Sequence, residues 1–477
     1  MLAARFAVRN GFRRASYASS KAKLPLVRHI TTNSYGAAFK ANQSVWQKWL
    51  YGVGMFGALS AGLWYFYWPR HTFSTSVAKI LRKALWEESD RKDHDYQAAL
   101  KYYLEALQEC DKLEVDPISD EYTGIELKVA EMYERLDMGD RAHDLYLEML
   151  YRYFDALHSP GRVADNLRPH LIQKDLRVLI KSLEMNKDVQ IGKRNLLAHL
   201  LLAQEEVLSR SPELKKYFDK RKERTAKLFR GDTMAAQPLE FQNLVNEDNI
   251  KLNEESYMIV DLAKNSSAWE PFKEEFFTAR DLYTAYCLST QDITSALSCK
   301  LTTVEWMVMA DMPPGQILLS QANLGSLLYL QGENFESRIH KLTLQREQAA
   351  NSSDDDTMIR TLRQLHKNRD SCFEMAHKCY DSIIRFSKKN KKLRFNAKDL
   401  MDPSAAHAIA LSIYGTGVIS LHKRNWAKAE RLLNESIALA EETNFQELLT
   451  EAHQELRKVA IAKEAAASKS TTDTPAN

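Results

Sequence analysis

Apolar residues recur at spacings of three and four along most of the chain, from Phe73 to Ala462, and strict alternation is scarce. That period predicts helices, whose faces repeat every 3.6 residues, rather than strands. Only 12 Pro and 16 Gly interrupt 477 residues, which also favours long helices. One stretch departs from the amphipathic pattern: between Lys48 and Arg70 no residue is charged. As a helix, residues 49–68 would reach about 30 Å, the thickness of a hydrocarbon core. Trp46, Trp49 and Tyr51 stand at one end, and Trp64, Tyr65, Tyr67 and Trp68 at the other. Such rings suit the headgroup level at both interfaces. Residues 49–68 are therefore read as one transmembrane helix. Within it Gly54, Ala58 and Gly62 lie four apart, a spacing that lets another helix approach closely, and they form a candidate packing seam.

After the span, the pattern repeats. Asp95 precedes Ala99, Tyr103 and Ala106, a small–aromatic–small series on one helix face. It resembles the second helix of a tetratricopeptide repeat, in which small residues admit the neighbouring helix and the ring fills the gap. Val129, Ala130 and Tyr133 supply the apolar, small and aromatic places of a following first helix. A turn at Asp137 to Gly139 leads to Ala142, Tyr146 and Met149, which restate the series 43 residues on. Asp116 and Pro117 mark the intervening loop. A weaker unit lies between Ala279 and Trp306, with Asp292, Ile293 and Ala296 at its turn. Asn323 to Phe335 reads as a first helix with a turn at Gly332. Its second helix is interrupted by a solvated loop at 352–356 and resumes from Cys372 to Phe386 through Ala376, Tyr380 and Ile383. Gly417, then Asn425 to Ser436, gives a last good match.

The expected fold is thus all-α: a single transmembrane helix followed by a divergent tetratricopeptide-like α-solenoid over residues 76–463. The clearest repeats are 76–110, 124–151, 318–386 (interrupted) and 405–440. Residues 153–275 match poorly, with a linker expected at 231–246 and a disordered Ala/Ser/Thr/Lys tail at 464–477. A curved solenoid has a concave face suited to extended peptides or partner helices. Lys128, Glu131 and Arg135, one stripe of a first helix, are the candidate groove contacts.

Charge supplies an address. Residues 1–48 hold nine of the 66 Lys and Arg and no acid; the first acid is Glu87. Arg5, Arg9 and Arg13 would form one helical stripe. A basic, Ser-containing, acid-free start predicts a mitochondrial presequence, with processing near Tyr17 or near Ile30 both fitting. The more positive flank points to the matrix, leaving the large C-terminal part in the intermembrane space of the inner membrane. A receptor in the outer membrane, its repeats in the cytosol, is the competing topology. The remainder carries 57 basic against 63 acidic residues, which gives no electrostatic footprint for nucleic acid.

Candidate chemistry is sparse. The sequence has no Gly-rich phosphate loop ending in Gly-Lys-Ser/Thr, no His-Glu-x-x-His and no Gly-x-Ser-x-Gly, so no catalytic, cofactor-binding or metal-binding residue is assigned. Cys110, Cys287, Cys299, Cys372 and Cys379 show no paired CxxC spacing and read as buried thiols. Repeat domains that hold acidic chaperone tails carry a Lys and an Asn on their first helix. The corresponding places here are Ala84 and Glu88, which would gain nothing from, or repel, a carboxylate.

This layout resembles the fungal repeat-containing adaptor of the mitochondrial inner-membrane i-AAA protease, most clearly from Trp68 through Tyr103. The resemblance implies a non-catalytic, membrane-anchored adaptor. It would bind unfolded or misfolded inner-membrane or intermembrane-space proteins and deliver them, with a second adaptor, to the AAA protease complex. The alternative is a scaffold or assembly factor for another inner-membrane complex.

Overall fold

The computed structural model describes residues 72–89, 94–219, 250–252, 258–260, 265–348, 355–389 and 403–472. The expected presequence, the span at 49–68 with Gly54, Ala58 and Gly62, and the linker at 231–246 lie outside the described residues. The chain divides into two compact units with a boundary inside one helix, between Met149 and Leu150.

The unit up to Met149 begins with α1 (Thr75–Glu88) and α2 (Tyr96–Lys112). It continues with α3 (Asp120–Arg135) and the first half of α4 (Gly139–His158). Local chemistry sets these bounds. The Asp95 carboxylate accepts from the Ala98 N–H, and the Ser119 hydroxyl accepts from the Tyr122 N–H. Each cap satisfies a donor that the first helical turn leaves open. Asp120 and Glu121 then favour the positive end of the α3 dipole. Ala99, Tyr103 and Ala106 of α2 are fully buried with Val77 and Ala84 of α1 and Ile125, Val129 and Met132 of α3. Ala142, Tyr146 and Met149 are buried likewise. The small–aromatic–small series is therefore a packing face in both hairpins.

In the unit from Leu150 onward, α5 (Arg168–Met185) and α6 (Val189–Arg210) pack with α7 (Lys273–Ser289). Here Gly192 is required by space: a Cβ on it would lie 2.5 Å from the Tyr286 ring. Gln173 and Arg177 of α5 reach Glu275 of α7 at 3.1 and 2.7 Å. Lys193 of α6 reaches Asp292 at 2.7 Å. A buried pair, Asp175 and His199 at 2.7 Å, joins α5 to α6. Between α6 and α7, β1 (Ile250–Leu252) and β2 (Met258–Val260) form a small antiparallel pair with Lys251 opposite Ile259. Trp269, Phe272 and Phe276 form an aromatic core with Trp306 of α8 (Ile293–Met309), where Phe276 and Trp306 stack at 5.5 Å.

The last part holds two 35-residue helices, α9 (Pro314–Gln348) and α10 (Asp355–Lys389), packed along each other. The turn expected at Gly332 does not form. A Cβ on Gly332 would lie 2.6 Å from the Phe373 ring, and one on Gly325 would lie 2.7 Å from the Tyr380 ring. These glycines admit rings from α10 rather than end α9, so the expected interrupted unit is one continuous helix pair. Asp355 and Asp356, expected in a loop, already belong to α10. Then follow α11 (Pro403–His422), α12 (Trp426–Glu442) and α13 (Gln446–Thr472). The tail expected from Glu464 is helical to Thr472; its Ala-rich run has high helix propensity. Among the described residues only α11 is long and apolar enough to cross a membrane, but 78% of its apolar window is buried. It is the core helix of this region.

Six helices end alike. Glu114, Asp137, Gln291, Asp311, Arg424 and Asn444 all have φ between 51° and 60°. After each, the next N–H bonds back to the carbonyl five residues earlier: Val115 to Cys110, Met138 to Tyr133, Asp292 to Cys287, Met312 to Met307, Asn425 to Ser420 and Phe445 to Ala440. This is the Schellman termination, which satisfies carbonyls that the last turn leaves open. Here a side chain other than glycine holds the left-handed position every time.

Candidate functional site

The expected groove residues lie on one partly exposed stripe of α3, and the structure brings them together. Lys128 Nζ donates to Glu131 at 2.9 Å, and Arg135 donates to Glu131 at 2.6 Å. Sequence reasoning missed their partners on α1 and α2. Lys128 also donates to Glu88 at 2.9 Å, and Arg135 stands 3.8 Å from the same carboxylate. Glu88 in turn accepts from the Tyr103 hydroxyl at 2.7 Å. Arg135 donates to the Tyr96 hydroxyl at 3.2 Å and lies 5.1 Å from that ring's centre. Nothing local announces this network, because Glu88 and Lys128 are 40 residues apart.

The electrostatics follow from partial burial. Burial alone would raise the Glu131 carboxyl, but hydrogen bonds from Lys128 and Arg135 outweigh it and hold the group below the usual carboxylate range. Burial, followed by the Glu88 hydrogen bond, pushes the Tyr103 phenol well above its ordinary value. The result is a balanced face of alternating charges, with two carboxylates between two cations. Such a face suits polar backbone and mixed charge better than a single anion. Ala84 is fully buried and Glu88 is committed to Lys128, so the two chaperone-tail positions offer no cation.

The five thiols are unpaired; all but Cys299 are buried. Burial raises the Cys372 and Cys379 thiols to about 11 and about 12. Among the described residues, no group of three or more His, Cys, Asp and Glu could hold a metal ion.

Paired helices that close on repeated turns and present a charge-matched face define a helical-hairpin scaffold. Sequence comparison identifies the family. The chain is 57% identical over 391 residues to the mitochondrial inner membrane i-AAA protease supercomplex subunit MGR3 of Saccharomyces cerevisiae; the match covers 82% of this chain and 78% of that protein. It is 38% identical over 422 residues to the MRG3-like protein of the same yeast, over 87% of this chain and 88% of that one. The chain belongs to the MGR3 family. The model of the MGR3 middle domain matches residues 160–312, which run from just before α5 to just past α8. That domain model covers most of the segment in which repeat spacing was poorest. The relative is described by its place in a supercomplex, as a subunit.

Proposed function

We propose that this chain is a membrane-anchored adaptor of the mitochondrial i-AAA protease. It binds unfolded or misfolded proteins of the inner membrane or intermembrane space and hands them to the protease, together with a second adaptor. The observation that carries the reading is the 57% identity to a subunit of the i-AAA protease supercomplex. The acid-free start and the uncharged stretch at 49–68 support an inner-membrane anchor, with the N-terminus in the matrix and the helical hairpins in the intermembrane space. The six matching turns and the two small–aromatic–small faces support a divergent tetratricopeptide-like array.

Two roles follow within this reading. Gly54, Ala58 and Gly62 seat the span against a membrane partner. Lys128, Glu131 and Arg135 contact the bound segment by exchanging their mutual ion pairs for polar groups of the client. Because Glu131 and its two cations are partly solvated, giving up those pairs costs less than about 1 kcal/mol each. A mild-detergent pull-down of the tagged chain should recover the AAA protease, and deleting the chain should slow turnover of an unfolded inner-membrane client. Recovery of respiratory or import subunits without the protease would overturn the adaptor reading in favour of a scaffold.

A further inference from the structure

Between α9, α10, α11 and α13 lies a cavity of about 280 Å³. It falls just below the range typical of small-molecule pockets, about 300–1,000 Å³, a size for one side chain rather than a nucleotide. Three phenol rings line it, Tyr329, Tyr380 and Tyr414, and two carboxylates, Glu333 and Glu455. Tyr380 is held between helices: a Cβ on Gly325 or Gly415 would lie 2.7 or 2.4 Å from its ring, and its hydroxyl meets Ser326 at 2.9 Å. Tyr380 therefore has little freedom to collapse into the space.

The charge around the cavity is unbalanced. Lys458 Nζ pairs with the buried Glu455 at 2.7 Å, so the protein already seats one ammonium there. Glu333 acts on the Tyr329 phenol and pairs with no cation among the described residues. Glu336 stands 3.6 Å from His422 at the same end. Burial, then the negative charge of Glu333, Glu455 and Glu336, pushes the Tyr329 phenol far up. Burial, then Glu455 and Glu451, does the same to Tyr414. Both rings therefore stay neutral and electron-rich at physiological pH, with a carboxylate beside them. Rings with an adjacent anion attract a cation at their faces.

We propose that this cavity binds the cationic side chain of an extended polypeptide, an arginine or lysine placed against Tyr329 and Tyr414 and paired with Glu333. The inference rests on the adaptor reading for what presents that side chain, and it gives the adaptor a residue preference.

The test is fluorescence anisotropy on the full chain in mild detergent. The probe is a short unstructured labelled peptide with one central arginine, compared with the same peptide carrying neutral citrulline. The arginine peptide should bind about tenfold more tightly. Glu333→Gln and Tyr414→Leu should each remove most of that difference, whereas Tyr414→Phe should keep it. If Tyr414→Leu fails to fold by circular dichroism, the partly exposed Glu333→Gln carries the test. Equal binding of the two peptides, or a preference that survives Glu333→Gln, would overturn the proposal. So would phosphocholine binding to the cavity without any arginine preference, which would mark a lipid-headgroup site. An absent preference with the protease still recovered by pull-down sinks the cavity and leaves the adaptor; a preference without the protease does the reverse.

Discussion

The α1–α4 hairpins and the α9–α11 group solve the same packing problem in opposite ways. In the first, small residues and the ring they flank sit on one helix: Ala99, Tyr103 and Ala106 share a face of α2. In the second, the parts are divided between helices: Gly325 and Gly332 are on α9, Gly415 is on α11, and the rings they admit, Tyr380 and Phe373, are on α10. A motif carried by one helix can be recognised from spacing alone. A motif divided among three helices cannot, because each helix shows only a glycine or only a ring.

That difference predicts where each region is fragile. The largest effect should come from Tyr103→Ala, which leaves a ring-sized cavity in the first core and should cost about 3–5 kcal/mol. Native-state hydrogen exchange of α1–α3 amides in the full chain would show it as lost protection, with Tyr103→Phe costing only about 1 kcal/mol for the Glu88 hydrogen bond. Unchanged exchange in Tyr103→Ala would mean the ring is not the keystone of the hairpin.

Next, Gly415→Ala should destabilise α9–α11 by about 1–3 kcal/mol through overpacking against Tyr380. Combined with Tyr380→Leu, the loss should fall below the sum of the single effects, since both act on one contact. An additive result would deny that the glycine exists for the ring.

A smaller effect separates cap from charge at Asp292, whose carboxylate accepts from the Ser295 N–H and pairs with Lys193. Asp292→Ala should cost about 1–2 kcal/mol, whereas Asp292→Asn keeps the cap, loses only the partly buried pair and should cost about 0.5–1 kcal/mol. The Lys193 hydrogen bond, then that from Ser295, lowers the Asp292 carboxyl to about 2. A depressed folded value gives stability that is complete above the unfolded carboxylate value of about 3.9. That stability is lost as pH falls through about 2. A melting series between pH 5 and pH 2 should therefore fall more steeply for the native chain than for Asp292→Asn.

The smallest change is expected on the charged face. Lys128→Ala should alter α1–α3 protection by less than about 1 kcal/mol, because its pairs are partly solvated. If this face contacts clients, the same substitution should slow client turnover more than it alters protection.

The legible parts of the fold were those written locally. Asp95 and Asn425 mark helix starts and do accept N–H bonds there; Asp292 does the same at the weaker unit. Gly332 misled because its reason is a ring on the next helix. The α5–α6 segment stayed unread because its junctions are single long-range pairs, such as Arg177 with Glu275 and Lys193 with Asp292. On the candidate site, the α3 stripe was visible from its i, i+3, i+7 spacing, while Glu88 and Tyr96 could be assigned only once the hairpins were assembled.

The six left-handed turn residues also carry a meaning for heat tolerance. An L-residue in that conformation costs about 1–2 kcal/mol relative to the right-handed one, and Asn or Asp bears it better than Glu, Gln or Arg. Glu114, Gln291 and Arg424 are thus three sites where one change to glycine would relieve backbone strain at a helix end without disturbing any core packing. A member of this family living at higher temperature has a short route to a sturdier array: three codons at hairpin tips, with the charged α3 face and the cavity left as they are.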